Sequence, residues 1–183
     1  MTPVVANTLE INRYKMLIAG IANASVSTEN RPSANFIGWF NRILAEEIKC
    51  MMRYRSHYFQ TLSNPKQIAS IFLIHSNEKL QQVDLIALRI IQLGGTPDFS
   101  SDNIPLHGSP GISIGSSLYE MIEENLKAER IAIITLRDMI KKLSGSDFTS
   151  SRLLKNILHA DERRVEELVN WLEENRKKPY TKL

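Results

Sequence analysis

The chain has 183 residues, 43% apolar and 23% charged, with 8 glycines and 7 prolines, which excludes a disordered chain and suits one domain with a real core. A single cysteine, Cys50, excludes an intramolecular disulfide framework and a cysteine-based zinc site, and it fits a reducing compartment. With no secretory pattern at the N-terminus, no apolar run of membrane-spanning length and a formal charge of only +3, a cytoplasmic protein that binds neither membrane nor nucleic acid is expected.

Residues 1–34 are mixed: INRYKMLIAGIA (11–22) suits a short helix, and ASVSTENRPSAN reads as a linker. The domain proper is expected over 35–178, with 179–183 as a tail. A first long helix is predicted from residue 36, capped by Ser33 or Asn35, and running to Leu62. Its inward row is Phe36, Phe40, Ile43, Glu47, Cys50, Tyr54 and His57, with steps of four and three. Asn64-Pro65 then supplies a cap and a first-turn proline. The second helix runs to Leu93 and stops at Gly94-Gly95. Its row is Ile68, Phe72, His75, Lys79, Gln82, Ile86, Arg89 and Leu93. The short connection makes these two helices antiparallel neighbours.

The stretch TPDFSSDNIPLHGSPGISIG (96–115) lacks helical period and is long enough to carry the chain back along a helix. A third helix is predicted over 116–143, with Leu118, Ile122, Asn125, Glu129, Ala132, Leu136, Met139 and Leu143 inward. After a short turn, a fourth covers 149–176, with Leu154, Leu158, Asp161, Val165, Leu168 and Leu172 inward. Short, long and short connections between four long helices predict an all-α four-helix bundle with one crossover, between helices two and three.

The middle of the four inward stripes is polar: Glu47, Lys79, Gln82, Glu129, Asp161 and Arg164. Bundles hold di-metal sites at this level, built from carboxylates and imidazoles. Here three acids meet two bases, so a buried salt-bridge network is weighed above a single cation on Glu47, Glu129 and Asp161. Acid is expected to weaken that network as carboxylates protonate. His57 and His75 read as core histidines, Cys50 as a small buried group, and Tyr54 and Tyr58 as packing aromatics. Glu46, Glu123, Glu124, Glu162, Glu166 and Glu167 read as a solvated face.

LAEEIKCMMRYRSHYF, QVDLIALRIIQLGGTPDF, MIEENLKAERIAIITLRDMI and RLLKNILHADERRVEELVNWLEE, at their spacing, resemble the ferritin-like superfamily, closest to bacterioferritins and bacterioferritin-like small ferritins. The resemblance covers most of the chain after residue 35. It implies a di-iron centre with one Glu from each of two helices and a Glu-x-x-His pair from each of the others. Glu47 and Glu129 match the single glutamates. Lys79 and Gln82 stand at one pair, Asp161 and Arg164 at the other, so both pairs are broken and both histidines replaced. A register one residue earlier would put Glu78 and Gln81 at the first pair, but it moves Glu78 off the inward row. Leu80 stands at the position of the bacterioferritin haem methionine, so no haem is expected. Iron is the metal the remnant Glu47, Glu129 and Asp161 would take, and no cofactor is expected.

The resemblance therefore implies a protein of iron handling: a structural or partner subunit with a degenerate centre, in a homo-oligomer or with another ferritin-like subunit. Two alternatives stand beside it. One is an active ferroxidase with a site remodelled from Glu47, Glu78, Glu129 and Asp161. The other is a bundle kept as an interaction module.

Overall fold

The computed structural model describes residues 34–62, 66–100, 117–143 and 145–175. The short helix expected over 11–22, the Ser33 and Asn64-Pro65 caps, most of the crossover and the tail lie outside the described residues. Four helices are described: α1 Ala34–Gln60, α2 Lys66–Gln92, α3 Leu118–Leu143 and α4 Phe148–Asn175. Each lies within two residues of its predicted span, and Asn35 falls inside α1 rather than before it. No strand occurs among the described residues.

The inward stripes meet in two apolar clusters. One joins Phe40, Ile43, Leu44 and Ile48 of α1 to Val83, Ile86 and Ile90 of α2, Leu136, Met139 and Leu143 of α3, and Leu154 and Ile157 of α4. The other joins Tyr54 of α1, Ile68 and Phe72 of α2, Met121, Ile122 and Leu126 of α3, and Leu168 of α4. The first gathers the starts of α1 and α4 with the ends of α2 and α3, and the second gathers the opposite ends. Helices α1 and α4 therefore run one way, α2 and α3 the other. The chain leaves α2 at one end of the bundle and enters α3 at the other. It must cross the bundle's length, about 40 Å for helices of this size at about 1.5 Å per residue. This is the four-helix bundle with a crossover that the loop lengths predict.

Local chemistry sets the helix ends. Gly94 takes φ 79°, and Gly95 N–H donates to Ile90 O while Gly94 N–H donates to Ile91 O, both at 2.9 Å. That is a Schellman ending, which favours glycine at the left-handed position. Gly95 is needed for space as well, since a Cβ there would stand 2.6 Å from Ile37 Cγ2. The crossover's first residues are then tied to α1: Asn41 donates to Thr96 O and accepts from Asp98 N–H, at 3.1 and 2.9 Å. Asp147 caps α4, accepting from Ser150 N–H at 3.0 Å.

One predicted row needs correction. The buried residues of α4 are Ser150, Leu154, Ile157, Asp161, Arg164 and Leu168. Leu158, Val165 and Leu172 are only partly buried and flank that row. The row read from the sequence leaned to one side because its apolar positions followed leucine and valine onto the flank of the buried stripe.

Candidate functional site

Between the two apolar clusters lies a polar layer to which every helix contributes. Glu47, Lys79, Gln82, Glu129, Asp161 and Arg164 are all buried, and Lys79 is 0% exposed. The Lys79 Nζ stands at the convergence of three carboxylates, 2.8 Å from Glu47 Oε2, 3.0 Å from Asp161 Oδ1 and 3.2 Å from Glu129 Oε2. Arg164 completes the layer. Its Nε donates to Glu129 Oε1 at 3.0 Å, and its Nη2 donates to Gln82 Oε1 at 3.1 Å and to Asp161 Oδ1. Ion pairs this deep are tolerable only when the charges pair and their remaining valences are met. Here the two bases supply donors to all three acids, while Asp161 Oδ2 accepts no hydrogen bond among the described residues.

The layer continues outward through residues the sequence reading did not place in it. Tyr54 donates to Glu129 Oε1 at 3.0 Å, so this tyrosine is a hydrogen-bonding member of the centre as well as a packing ring. Glu78, set aside because it falls off the inward row, accepts from Arg164 Nη1 at 2.8 Å and takes both arms of its bond from Arg163 at 3.0 Å. Arg163 also pairs with Glu167, and His75 Nε2 donates to Glu167 Oε2 at 2.8 Å. A chain of ion pairs thus runs from the surface of α4 to the buried centre. Glu78 keeps its place beside the row, while Lys79 and Gln82 point inward. The signal that could have found it was the adjacent Arg163-Arg164 pair, whose long side chains reach one residue off a stripe.

Protonation follows from the charge count. Burial pushes Glu47 up to about 7, against the pull of Lys79. Asp161 is raised for the same reason despite Lys79 and Arg164. Burial would raise Glu129 too, but Lys79 and Arg164 outweigh it and hold that carboxyl below its usual range. Burial alone would lower Lys79 and Arg164, yet the acids around them push both upward, so both bases stay charged. Three acids against two bases leave one negative charge at the centre, and Glu47, which burial raises to about 7, is an acid that takes up a proton readily as pH falls. The expectation that acid weakens the network therefore rests on Glu129, which the bases hold low. Burial makes Glu47 and Asp161 hold protons more readily than in water, and only Glu129 at the centre behaves as expected.

The remaining candidates lie apart from this centre. Asn125 Nδ2 donates to His57 Nδ1 at 2.8 Å, and His57 Nε2 faces Glu124 Oε2 at 3.5 Å. Glu124 is therefore a partly buried neighbour of His57 rather than a member of a solvated face. Glu162 pairs with Arg137 at 2.6 Å. Cys50 is buried, and burial pushes its thiol up to about 12, which leaves no thiolate at neutral pH. Tyr58 packs against Phe59 with ring centres 5.0 Å apart and ring planes tilted by 58°.

The donor set does not suit a di-iron centre. The point where Glu47, Glu129 and Asp161 converge is occupied by an ammonium group, a guanidinium lies beside it, and both histidines point to other partners. A cation would have to displace two bound positive charges. Among the described residues no group of three His, Cys, Asp or Glu side chains is arranged to hold a metal ion. Among them, too, no helix is long and apolar enough to cross a membrane.

The family model described as Ferritin-like domain matches residues 37–177 of this chain, spanning all four helices. No curated protein matches it.

Proposed function

The chain belongs to the Ferritin-like domain family, and on that premise we propose that it is a structural or partner subunit of iron handling whose bundle centre is an ion-pair network instead of a di-iron centre. The observation that carries this reading is the position of Lys79 Nζ, within 3.2 Å of Glu47, Asp161 and Glu129. A lysine there does the electrostatic work of a bound cation: it neutralises the carboxylates and holds α1, α2, α3 and α4 together at one level. It offers no open coordination position and no redox couple.

The role as a partner subunit rests on fold-level analogy with oligomeric ferritin-like proteins. An inactive subunit can still build an assembly's wall or its contacts. The test is aerobic Fe(II) oxidation by the purified protein, read with its particle mass in solution. The reading requires oxidation no faster than the uncatalysed rate and a particle much larger than a dimer, alone or with a ferritin-like partner. Oxidation at a ferroxidase's rate, abolished by Glu47→Ala, would replace it with the remodelled-enzyme reading. A monomer or dimer without iron chemistry would favour the interaction module.

A further inference from the structure

The seam between α2 and α4 is much thinner than those between α1 and α2 or α3 and α4, and toward the end where α4 begins it opens into a pocket of about 220 Å³. Leu85, Leu153 and Ile157 give the pocket an apolar wall, Gln82 brings it to the edge of the polar layer, and Arg89 and Arg152 also line it. Among the described residues no acidic side chain lines it. We propose that this pocket binds a small amphipathic carboxylate, with the apolar body between Leu85 and Leu153 and the carboxylate on Arg152 and Arg89.

The two arginines differ in a way that suits this ligand. Arg89 is buried and fixed: Nε donates to Ser150 Oγ at 2.7 Å, Nη1 to Gln92 Oε1 at 2.9 Å, and Nη2 to both oxygens of Asp147 at 3.0 and 2.8 Å. A guanidinium carries five N–H donors, so these four contacts leave one on Nη1. Asp147 already balances its charge. Arg152 is exposed, and no hydrogen bond or ion pair of its side chain occurs among the described residues. The pocket therefore carries one uncompensated positive charge beside an apolar wall. A carboxylate accepts such a fork in two parallel bonds. Size sets the body: an apolar cavity of about 150 Å³ takes benzene, so this one suits a single ring or a medium-length chain. The site is independent of whether the bundle centre holds a metal.

Octanoate serves as the probe, with 1-octanol as its neutral counterpart, titrated into the full chain by calorimetry and by amide chemical-shift mapping. Saturable octanoate binding is expected, with shifts at α2 and α4 around Leu85 and Leu153. Arg152→Gln should weaken octanoate about tenfold, the worth of one charge-assisted contact, and leave octanol unchanged. Leu153→Trp, which fills a partly buried position, should abolish both. Absence of saturable octanoate binding overturns the proposal. So does equal octanoate affinity in the natural chain and in Arg152→Gln, a surface change with no packing to lose. Shifts elsewhere on the bundle would also overturn it.

Discussion

Lys79 Nζ lies 2.8 Å from Glu47 Oε2, an ion pair between α2 and α1 in which neither side chain reaches solvent. The same ammonium also serves Asp161 and Glu129, so it is the common counter-charge of three buried acids. Lys79→Met keeps much of the volume and removes that charge. Breaking a buried pair from one side costs about 3–5 kcal/mol, and a loss of that size is expected in urea unfolding. Adding Glu47→Gln should return part of it, because one fewer acid is then uncompensated. A loss under about 1 kcal/mol for Lys79→Met would contradict the network.

The pH dependence has a definite sign. Glu47 has its folded pKa raised from 4.5 to about 7, so its protonated form favours the fold. That contribution is complete below about 4.5, declines as pH rises toward 7, and is absent above. At about 1.4 kcal/mol per unit it amounts to no more than about 3–4 kcal/mol. Glu129 and Glu78 have lowered pKa values, so their contributions are present above 4.5 and are lost as pH falls. Stability should therefore be greatest near pH 4.5, where both contributions are present, and fall on either side. Glu47→Gln should flatten the descent toward pH 7 while leaving the acid limb in place. An unchanged descent in that variant would show that another group carries it.

Asp147 has two duties, as the cap of α4 and as the partner of buried Arg89. A lost cap costs about 1 kcal/mol, and an orphaned buried base costs more. Asp147 is itself partly exposed, so water can replace some of what is lost. Asp147→Ala should destabilise by about 2 kcal/mol in denaturant unfolding, while Asp147→Asn should lose less because the amide still caps. Equal losses for the two would mean that the charge alone matters.

What is local in the chain and what arises only from packing divide on physical grounds. Helical period and loop length are local properties, so the four helices, their pairing and the crossover were readable from the chain. The rows of α1, α2 and α3 were readable too, because long apolar repeats leave little freedom of phase. The outward extension of the polar layer was not. Glu78 lies one residue off its row, and only the reach of the Arg164 guanidinium brings it in. The order of pKa values was hidden for a related reason: burial and neighbouring charge nearly cancel, and their balance depends on distances. The α4 row drifted because Leu158, Val165 and Leu172 are apolar yet flank the buried stripe that carries Ile157, Asp161 and Arg164.

Rebuilding the missing ligands should restore some chemistry. Lys79→Glu, Gln82→His, Asp161→Glu and Arg164→His together remove both central bases and create a Glu-x-x-His pair on α2 and another on α4. Residues three apart project to one face of a helix, so both pairs turn toward Glu47 and Glu129. Measurable Fe(II) oxidation is expected from this variant. Recovery should be weak, because Glu78 and Tyr54 are positioned for the ion-pair network and outer partners tune metal affinity. A folded variant that binds no divalent cation would show that more than the donor set has changed.

The central claim is that Lys79 and Arg164 hold the place a metal would take, and metal stoichiometry of the natural chain tests it most directly. The purified protein is loaded with Fe(II) without oxygen, desalted and assayed for bound iron. The account predicts no iron retained at the bundle centre and no change in the resonances of Glu47 and Glu129. Two iron ions per chain, lost together on Glu47→Ala, would contradict it.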